Sequence, residues 1–448
     1  MTQTRAWTWI GLLLACSLAA CSTTEMLEVE TPDQITPDKA GSAVGAAALR
    51  ASAIGNFAAF YGGDYGGSFH GLNITSGMLT DEIESARGGT EHLDSRAQNE
   101  AVQPLGTTWS FVGQSTTQTI RAIKALKEFA PEVTATEKAT KATQIGHLYA
   151  LQGFAYVLLA ENYCSGIPIA NADDLAPKTD TLNTAKLFAR AMAYFDTAAT
   201  TLGTTTADQP FRNAVAVGRG RVMVNLAQYD QAATAVASVP TNFSLLISYS
   251  STSVVNAIYD WMNGTLNYAP ADREGGNGMD YISARDPRVT VIRNAAGAPT
   301  PRAGQDGAQH YTQTVFPTAG SPVPLATGVE ARLIEAEAAL KRGDATAYLA
   351  KMNDARTTVS ALTPLTDPGS TVARENLLFR ERAFWFWGTA HRLGDLRRLV
   401  KDYKRGAETV YPTGPYFKGG AYGADLVLIP AQAEKNNKDF TGCSATAP

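Results

Sequence analysis

Between Tyr61 and Asn73 the chain reads YGGDYGGSFHGLN, and from Trp261 to Tyr268 it reads WMNGTLNY. The first stretch offers the rings of Tyr65, Phe69 and His70 beside the planar acceptors of Asp64 and Asn73. The second offers Trp261 and Tyr268 flanking Asn263 and Asn267. Rings with polar tips next to amide and carboxylate groups suit a ligand with apolar C–H faces and hydroxylated edges, of which a sugar is the type case. A structural role stays open for both clusters, because aromatic rings also pin irregular loops to a scaffold. The paired glycines do not read as a phosphate cradle, since no Lys-Ser/Thr follows and no strand precedes.

Residues for catalysis do not assemble. The sequence has no HExxH, GxSxG or CxxC pattern, and His70, His92, His147, His310 and His391 lack metal-ligand spacing. His147 lies inside an apolar helical pattern and reads as a core residue. Asp81, Glu82 and Glu84 crowd together after Thr80, but glycosidic cleavage needs two carboxyls about 5–10 Å apart across a cleft, and nothing places a partner. Acids favoured by the dipole at a helix N-terminus account for them more simply. No catalytic residue, metal or cofactor is assigned, and the chain is expected not to be an enzyme. The charges of Arg392, Asp395, Arg397 and Arg398 read as structural ion pairs, Arg392 and Asp395 being three apart on one helix. Asp286-Pro287-Arg288 reads as a rigid turn clamped by charge. Trp385 and Trp387, two apart, point to different faces of a helix and read as core and interface.

The elements that position these residues follow from the pattern. Arg5 precedes an apolar run over 9–20, too short for a membrane-crossing helix of about 20 residues and shaped like a secretory signal. It ends Leu18-Ala19-Ala20-Cys21, which resembles a bacterial lipobox, so Cys21 is the expected lipidation site. Its acyl chains would enter a lipid bilayer. Two or more chains bind far better than one, at about 0.8 kcal/mol per buried methylene. Residues 1–20 are thus a signal peptide and 21–38 a tether. No later stretch reads as a span, so the body is expected outside the bilayer. Hydrophobic residues make up 44% of the chain, enough for a core. A net charge of −4 leaves no basic footprint for nucleic acid. In an exported compartment the pair Cys164 and Cys443 invites a disulfide that would staple the tail, with two free thiols as the alternative.

Helical periodicity dominates residues 39–240 and 328–405. Helices are expected over 38–61 (stopped by Gly62-Gly63), 107–129, from a capping box at Thr134-x-x-Glu137 to about Asn162, 184–202, 210–239 with an interruption near Gln228, and 370–403. Gly218–Pro240 resembles the second half of a tetratricopeptide repeat, with Ala232 as the small contact between helices. Val329–Arg356 has the same outline, with its corner at Gly343-Asp344 and a capping box at Thr327-x-x-Glu330. Such repeats bury their faces only by stacking. Residues 241–327 lose the helical period and read as an ordered, functional insert, and 406–448 as an irregular Gly/Tyr-rich tail. The fold class is mainly α: a tetratricopeptide-like helical repeat scaffold, a large loop-rich insert and a few short strands, in one domain over 39–448.

Together these pieces resemble the SusD/RagB family of outer-membrane nutrient-binding lipoproteins. The likeness runs through Leu27-x-Val29-x-Thr31-Pro32, Tyr163-x-x-Gly166-x-Pro168, Asp286-Pro287-Arg288, the Ala331–Ala338 helix, Glu381-Arg382 with His391-Arg392-x-x-Asp395-Leu396-Arg397-Arg398, and Leu428-Ile429-Pro430-x-x-x-Glu434. One departure is Gly388-Thr389-Ala390, where the family often has Phe-Glu-Gly. The resemblance implies a lid on a TonB-dependent, SusC-like outer-membrane transporter, facing the cell exterior and capturing an oligosaccharide, a peptide or another oligomeric nutrient. An envelope scaffold that docks partner proteins without binding a nutrient is the alternative.

Overall fold

The computed structural model describes residues 41–64, 70–101, 103–170 and 179–448. The predicted lipidation site Cys21, the tether 21–38, and Tyr65 and Phe69 lie outside the described residues.

Helices begin where side chains can cap them. Ser42 accepts from the Gly45 N–H to open α1 (Ala43–Gly62). After α2 (Gly71–Met78) and α3 (Gln103–Phe129), Thr134 and Glu137 form the expected reciprocal capping box of α4 (Ala135–Asn162). The last 18 residues of α4 are almost entirely buried, as an all-round apolar pattern requires. Then come α5 (Thr184–Thr201), α6 (Gln209–Asn225), α7 (Tyr229–Val236), α8 (Gly328–Lys341) and α9 (Ala345–Arg356). α6 packs on α7, α7 on α8 and α8 on α9, so the two repeat-like units stack. Ala232 is completely buried at the contact. Only half of the second predicted capping box forms: the Thr327 hydroxyl accepts from the Glu330 N–H, while the Glu330 carboxylate is turned to His391.

Two expectations need correction. The predicted helix over 370–403 is broken into α10 (Thr371–Trp385) and α11 (Arg392–Lys401). Gly388 and Ala390 take positive φ between them, 70° and 58°, a conformation that ends helical hydrogen bonding. And α1, with 20 residues, is long and apolar enough to cross a membrane by length and composition. In the fold it packs on α3 and buries Ala53 and Phe57–Gly62, as a core helix does.

Among the described residues the strands form two-stranded antiparallel sheets. They are β1 (Ile83–Ser85) with β5 (Tyr268–Pro270), β2 (Ile167–Ala170) with β3 (Thr179–Leu182), β4 (Ser244–Ile247) with β8 (Val323–Thr327), and β6 (Pro301–Ala303) with β7 (Gln309–Tyr311). The β4–β8 pair brings the ends of the irregular segment together. Gly328 sits so close to Pro240 and Thr241 that a Cβ there would collide with their backbone, which is why a small residue is needed at this neck.

Buried ion pairs tie the helices. Arg392 forks onto Asp81, Nε to Oδ1 at 2.6 Å and Nη2 to Oδ2 at 2.7 Å. Asp395 instead takes Arg382 at 2.8 Å and Arg398 at 2.9 Å. The predicted pairing of Arg392 with Asp395 is therefore replaced: Arg392 reaches Asp81 on a distant segment, and Asp395 is shared by Arg382 of α10 and Arg398 three residues on in α11. Burial alone would raise the Asp395 carboxyl, but the two guanidinium groups hold it below the usual carboxylate range. Arg288 clamps Asp286 at 2.7 Å as expected, and also Glu381 at 2.7 Å. The Cys164–Cys443 disulfide is present, with Cα atoms 5.8 Å apart.

Candidate ligand-binding face

The chain leaves α1 at Gly63, returns at His70 and starts α2 at Gly71. A Cβ on Gly71, whose φ is +65°, would collide with the Gly63 backbone. The chain thus passes close to itself at Gly63 and Gly71. That contact explains the glycine at position 71.

His70, Asn73, Trp261 and Tyr268 do not open to solvent as the sequence suggests. Their exposures are 0%, 0%, 2% and 0%. The His70 imidazole stacks on the Trp261 indole at 4.4 Å and meets the Tyr268 ring edge-on at 5.6 Å. The Tyr268 hydroxyl donates to His70 Nε2 at 2.8 Å, leaving Nδ1 to carry the proton toward Thr107 Oγ1 at 3.4 Å. Burial, helped by the nearby Arg87 cation, drives the His70 pKa down to about 3, so the ring is neutral. Asn73 donates to Gly388 O at 2.9 Å. Rings whose faces are spent on one another cannot also stack on a ligand, so these four are the support of the face and not its surface. Asp64 remains half-buried, its Oδ1 accepting from the Val255 N–H at 3.3 Å.

Successive residues of a strand point to opposite sides. In the β1–β5 ladder Ser85 pairs with Tyr268 and Glu84 with Ala269. The Tyr268 side faces the aromatic nest, and Glu84 lies toward a patch of acids and tyrosines. Burial first, then the charges of Asp94, Asp272 and Asp306, push the Glu84 carboxyl up to about 8 despite Lys418. Asp94 Oδ2 accepts from the Ser85 N–H and the Tyr416 hydroxyl, each at 2.8 Å. Glu274 Oε1 accepts from the Tyr422 hydroxyl at 2.8 Å. The Lys418 ammonium bonds Ser85 O and Asp306. Asp81, Glu82 and Glu84 are not at a helix N-terminus, as the sequence reading expects; they follow the C-terminal end of α2. Asp81 is consumed by Arg392, and Glu82 is only 1% exposed, its carboxyl raised well above its ordinary value by burial.

Over this patch stand the groups that sequence reading missed. Phe417 is 51% exposed and packs edge-on against Tyr416 at 4.8 Å. Tyr422 meets Tyr416 at 5.3 Å, and Tyr311 is half-exposed beside Glu84 and Asp272. The signal was the tail run Tyr416-Phe417-Lys418-Gly419-Gly420, where two positive-φ glycines, 103° and 78°, turn the chain and present the rings. Exposed Phe417 and half-buried Tyr311 and Tyr422, beside planar acceptors and an ammonium, can stack on apolar faces and hydrogen-bond polar edges. Among the described residues no group of three or more His, Cys, Asp or Glu could hold a metal ion.

No protein-family model and no curated protein matches the chain. Solved structures do. Surface glycan-binding protein A from Bacteroides uniformis shares 15% identity at a TM-score of 0.64, covering 88% of this chain and 98% of its own. A SusD superfamily protein from Parabacteroides distasonis shares 11% at 0.63, covering 91% and 99%. A SusD-like carbohydrate binding protein from Bacteroides vulgatus shares 14% at 0.57, covering 80% and 83%. The chain has the SusD-like fold, mainly α with tetratricopeptide-like repeats, as its sequence predicts.

Proposed function

We propose that this SusD-like chain belongs to the SusD/RagB family and is a lipid-anchored, non-enzymatic binding protein on the outer-membrane surface. It captures an oligosaccharide, or another oligomeric nutrient such as a peptide, and delivers it to a TonB-dependent SusC-like transporter. The observation that carries this reading is the extent of the likeness to a glycan-binding protein, which spans 88% of this chain. The aromatic rim over the acid patch supports it, because stacking and hydrogen bonds in a preformed face need no cofactor. The anchor is Cys21, and the repeat scaffold is the rigid back that docks the transporter. Tyr65 and Phe69, which the sequence groups with Asp64, are further candidates for contact with the ligand.

The test is a glycan array probed with purified protein, followed by calorimetric titration of the best ligand. Binding of defined oligosaccharides without cleavage is expected, together with digestion of the domain by protease added to intact cells. Cleavage of the glycan, or protection of the domain from protease, overturns the reading in favour of an enzyme or a periplasm-facing scaffold respectively.

A further inference from the structure

The tail turn that carries Tyr416, Phe417 and Tyr422 is bonded to itself. The Tyr422 N–H bonds Gly414 O at 3.0 Å, the Tyr416 N–H bonds Gly420 O at 3.1 Å, and the Gly419 N–H bonds Tyr416 O at 2.9 Å. Among the described residues, its hydrogen bonds to the rest of the fold run through three side chains. Tyr416 reaches Asp94, Tyr422 reaches Glu274, and Lys418 reaches Asp306 and Ser85 O. The turn starts at Gly414, whose φ is 86°, a residue free to act as a hinge. It ends at Gly423, packed so tightly that a Cβ would strike the Arg96 backbone.

The two acids that hold the tyrosines are themselves a pair. Asp94 and Glu274, 0% and 6% exposed, lie within hydrogen-bond reach of each other. One oxygen of each is taken: Asp94 Oδ2 by the Ser85 N–H and Tyr416, and Glu274 Oε1 by Tyr422. The other two, Asp94 Oδ1 and Glu274 Oε2, are buried with no donor. A single proton between them satisfies both, which two carboxylates cannot do for each other. Two carboxyls sharing one buried place do not readily ionise together. Burial first, then the Asp94 charge, raises the Glu274 carboxyl well above its ordinary value, so Glu274 supplies the proton. Around the pair stand Glu84 on β1, Tyr268 on β5, and Tyr416, Lys418 and Tyr422 on the tail. Of these only Lys418 is a cation, and it is bonded to Asp306.

We propose that Asp94 and Glu274 share one proton, and that this proton closes the clamp holding the tail turn 414–422 against the body. Its loss leaves two carboxylates side by side. The turn then swings out at Gly414, admits water to both, and withdraws Tyr416, Phe417 and Tyr422 from the rim. The clamp is complete while the pair keeps its proton and fails as rising pH removes it. Capture of a ligand at neutral pH and its release under alkaline conditions follow. That consequence rests on the reading of the rim as the ligand face; the clamp itself does not.

The test treats the full lipoprotein in detergent with subtilisin at about pH 7 and about pH 9.5, a span over which the shared proton is to be lost. Mass spectrometry counts cleavage inside the tail turn, normalised to a free peptide of the same sequence. Cutting of the parent is expected to rise about tenfold or more, tenfold being the factor for each pKa unit between the closed and open pair. Glu274→Gln, whose amide N–H replaces the shared proton at every pH, is expected to stay flat. Asp94→Asn, with the donor on the other side, should do the same and serves if the first variant does not fold. No rise in the parent, an equal rise in the folded variants, or a rise abolished by Glu84→Gln and kept by Glu274→Gln would each overturn the clamp. The oligosaccharide found by array should lose affinity over the same span in the parent only. Cutting that responds while affinity does not would uphold the clamp and refute the rim as the ligand face.

Discussion

The imidazole of His70 and the indole of Trp261 lie face to face, centroids 4.4 Å apart and planes 14° from parallel. They come from segments 191 residues apart in sequence (261 − 70) and lock the loop after α1 to the insert. Trp261→Ala is therefore expected to lower stability by about 3–5 kcal/mol, the range for a buried aromatic. Urea denaturation measures it. A loss under about 1 kcal/mol would mean that the ring is not part of the core.

The fork of Arg392 on Asp81 predicts strong non-additivity. Asp81→Leu alone strands a buried guanidinium and should cost about 3–5 kcal/mol, whereas adding Arg392→Leu should recover much of that loss. A double-mutant cycle in urea measures the coupling. Simple addition of the two losses would show that the pair is not energetically joined.

Much of this framework was legible. Helix periods, the Thr134–Glu137 box and the small contact at Ala232 are local features, and local features survive into the fold. The pairing of Arg392 with Asp81 was not, because nothing near residue 81 tells which of several arginines will reach it. The same limit hid the site. Trp261 and Tyr268 sit among Asn and Gly, a composition that reads as exposed loop, yet His70 and Arg87 arrive from the other end of the chain to cover them. Phe417 reads as one more residue of a polar tail until the Gly419-Gly420 turn sets it, exposed, against Tyr416 and Lys418.

Stability should fall from both ends of the pH scale. His70 and His147 are held neutral, their pKa values driven to about 3 by burial. The unfolded chain takes up protons below about 6.5 that the native chain refuses, so stability is lost as pH falls below that value. Glu84 and Asp94 are raised, to about 8 and about 6 respectively. Their native forms keep protons that the unfolded chain has shed, so their contribution is lost as pH rises from about 4 to 8. Glu84→Gln cannot ionise and should flatten the decline in Tm between pH 6 and 8. An unchanged slope by scanning calorimetry would exclude Glu84 as its source.

The Cys164–Cys443 bond closes a span of 279 residues and holds a tail whose Leu428 N–H bonds Asn162 O at 2.8 Å while Cys164 N–H bonds Leu428 O at 2.9 Å. Cys443→Ser should cost about 2–5 kcal/mol. It should also speed hydrogen exchange at the Leu428 and Cys164 amides before global unfolding. Exchange unchanged at both amides would show that the backbone bonds hold the tail without the bridge.

Phe417 separates binding from folding. It is half-exposed, with one edge on Tyr416, so Phe417→Ala should leave stability within about 0.5 kcal/mol of the parent. If the tail rim is the ligand face, losing one stacking ring removes about 0.5–1.5 kcal/mol of binding, a weakening of about 2- to 12-fold for the oligosaccharide found by array. Trp261→Ala should do the reverse, unfolding the chain before it changes affinity in the fraction that remains folded. The two variants measured side by side, by calorimetric titration and urea denaturation, distinguish the surface from its support. Unaltered affinity in Phe417→Ala would move the ligand away from the tail, toward the loop that carries Tyr65 and Phe69.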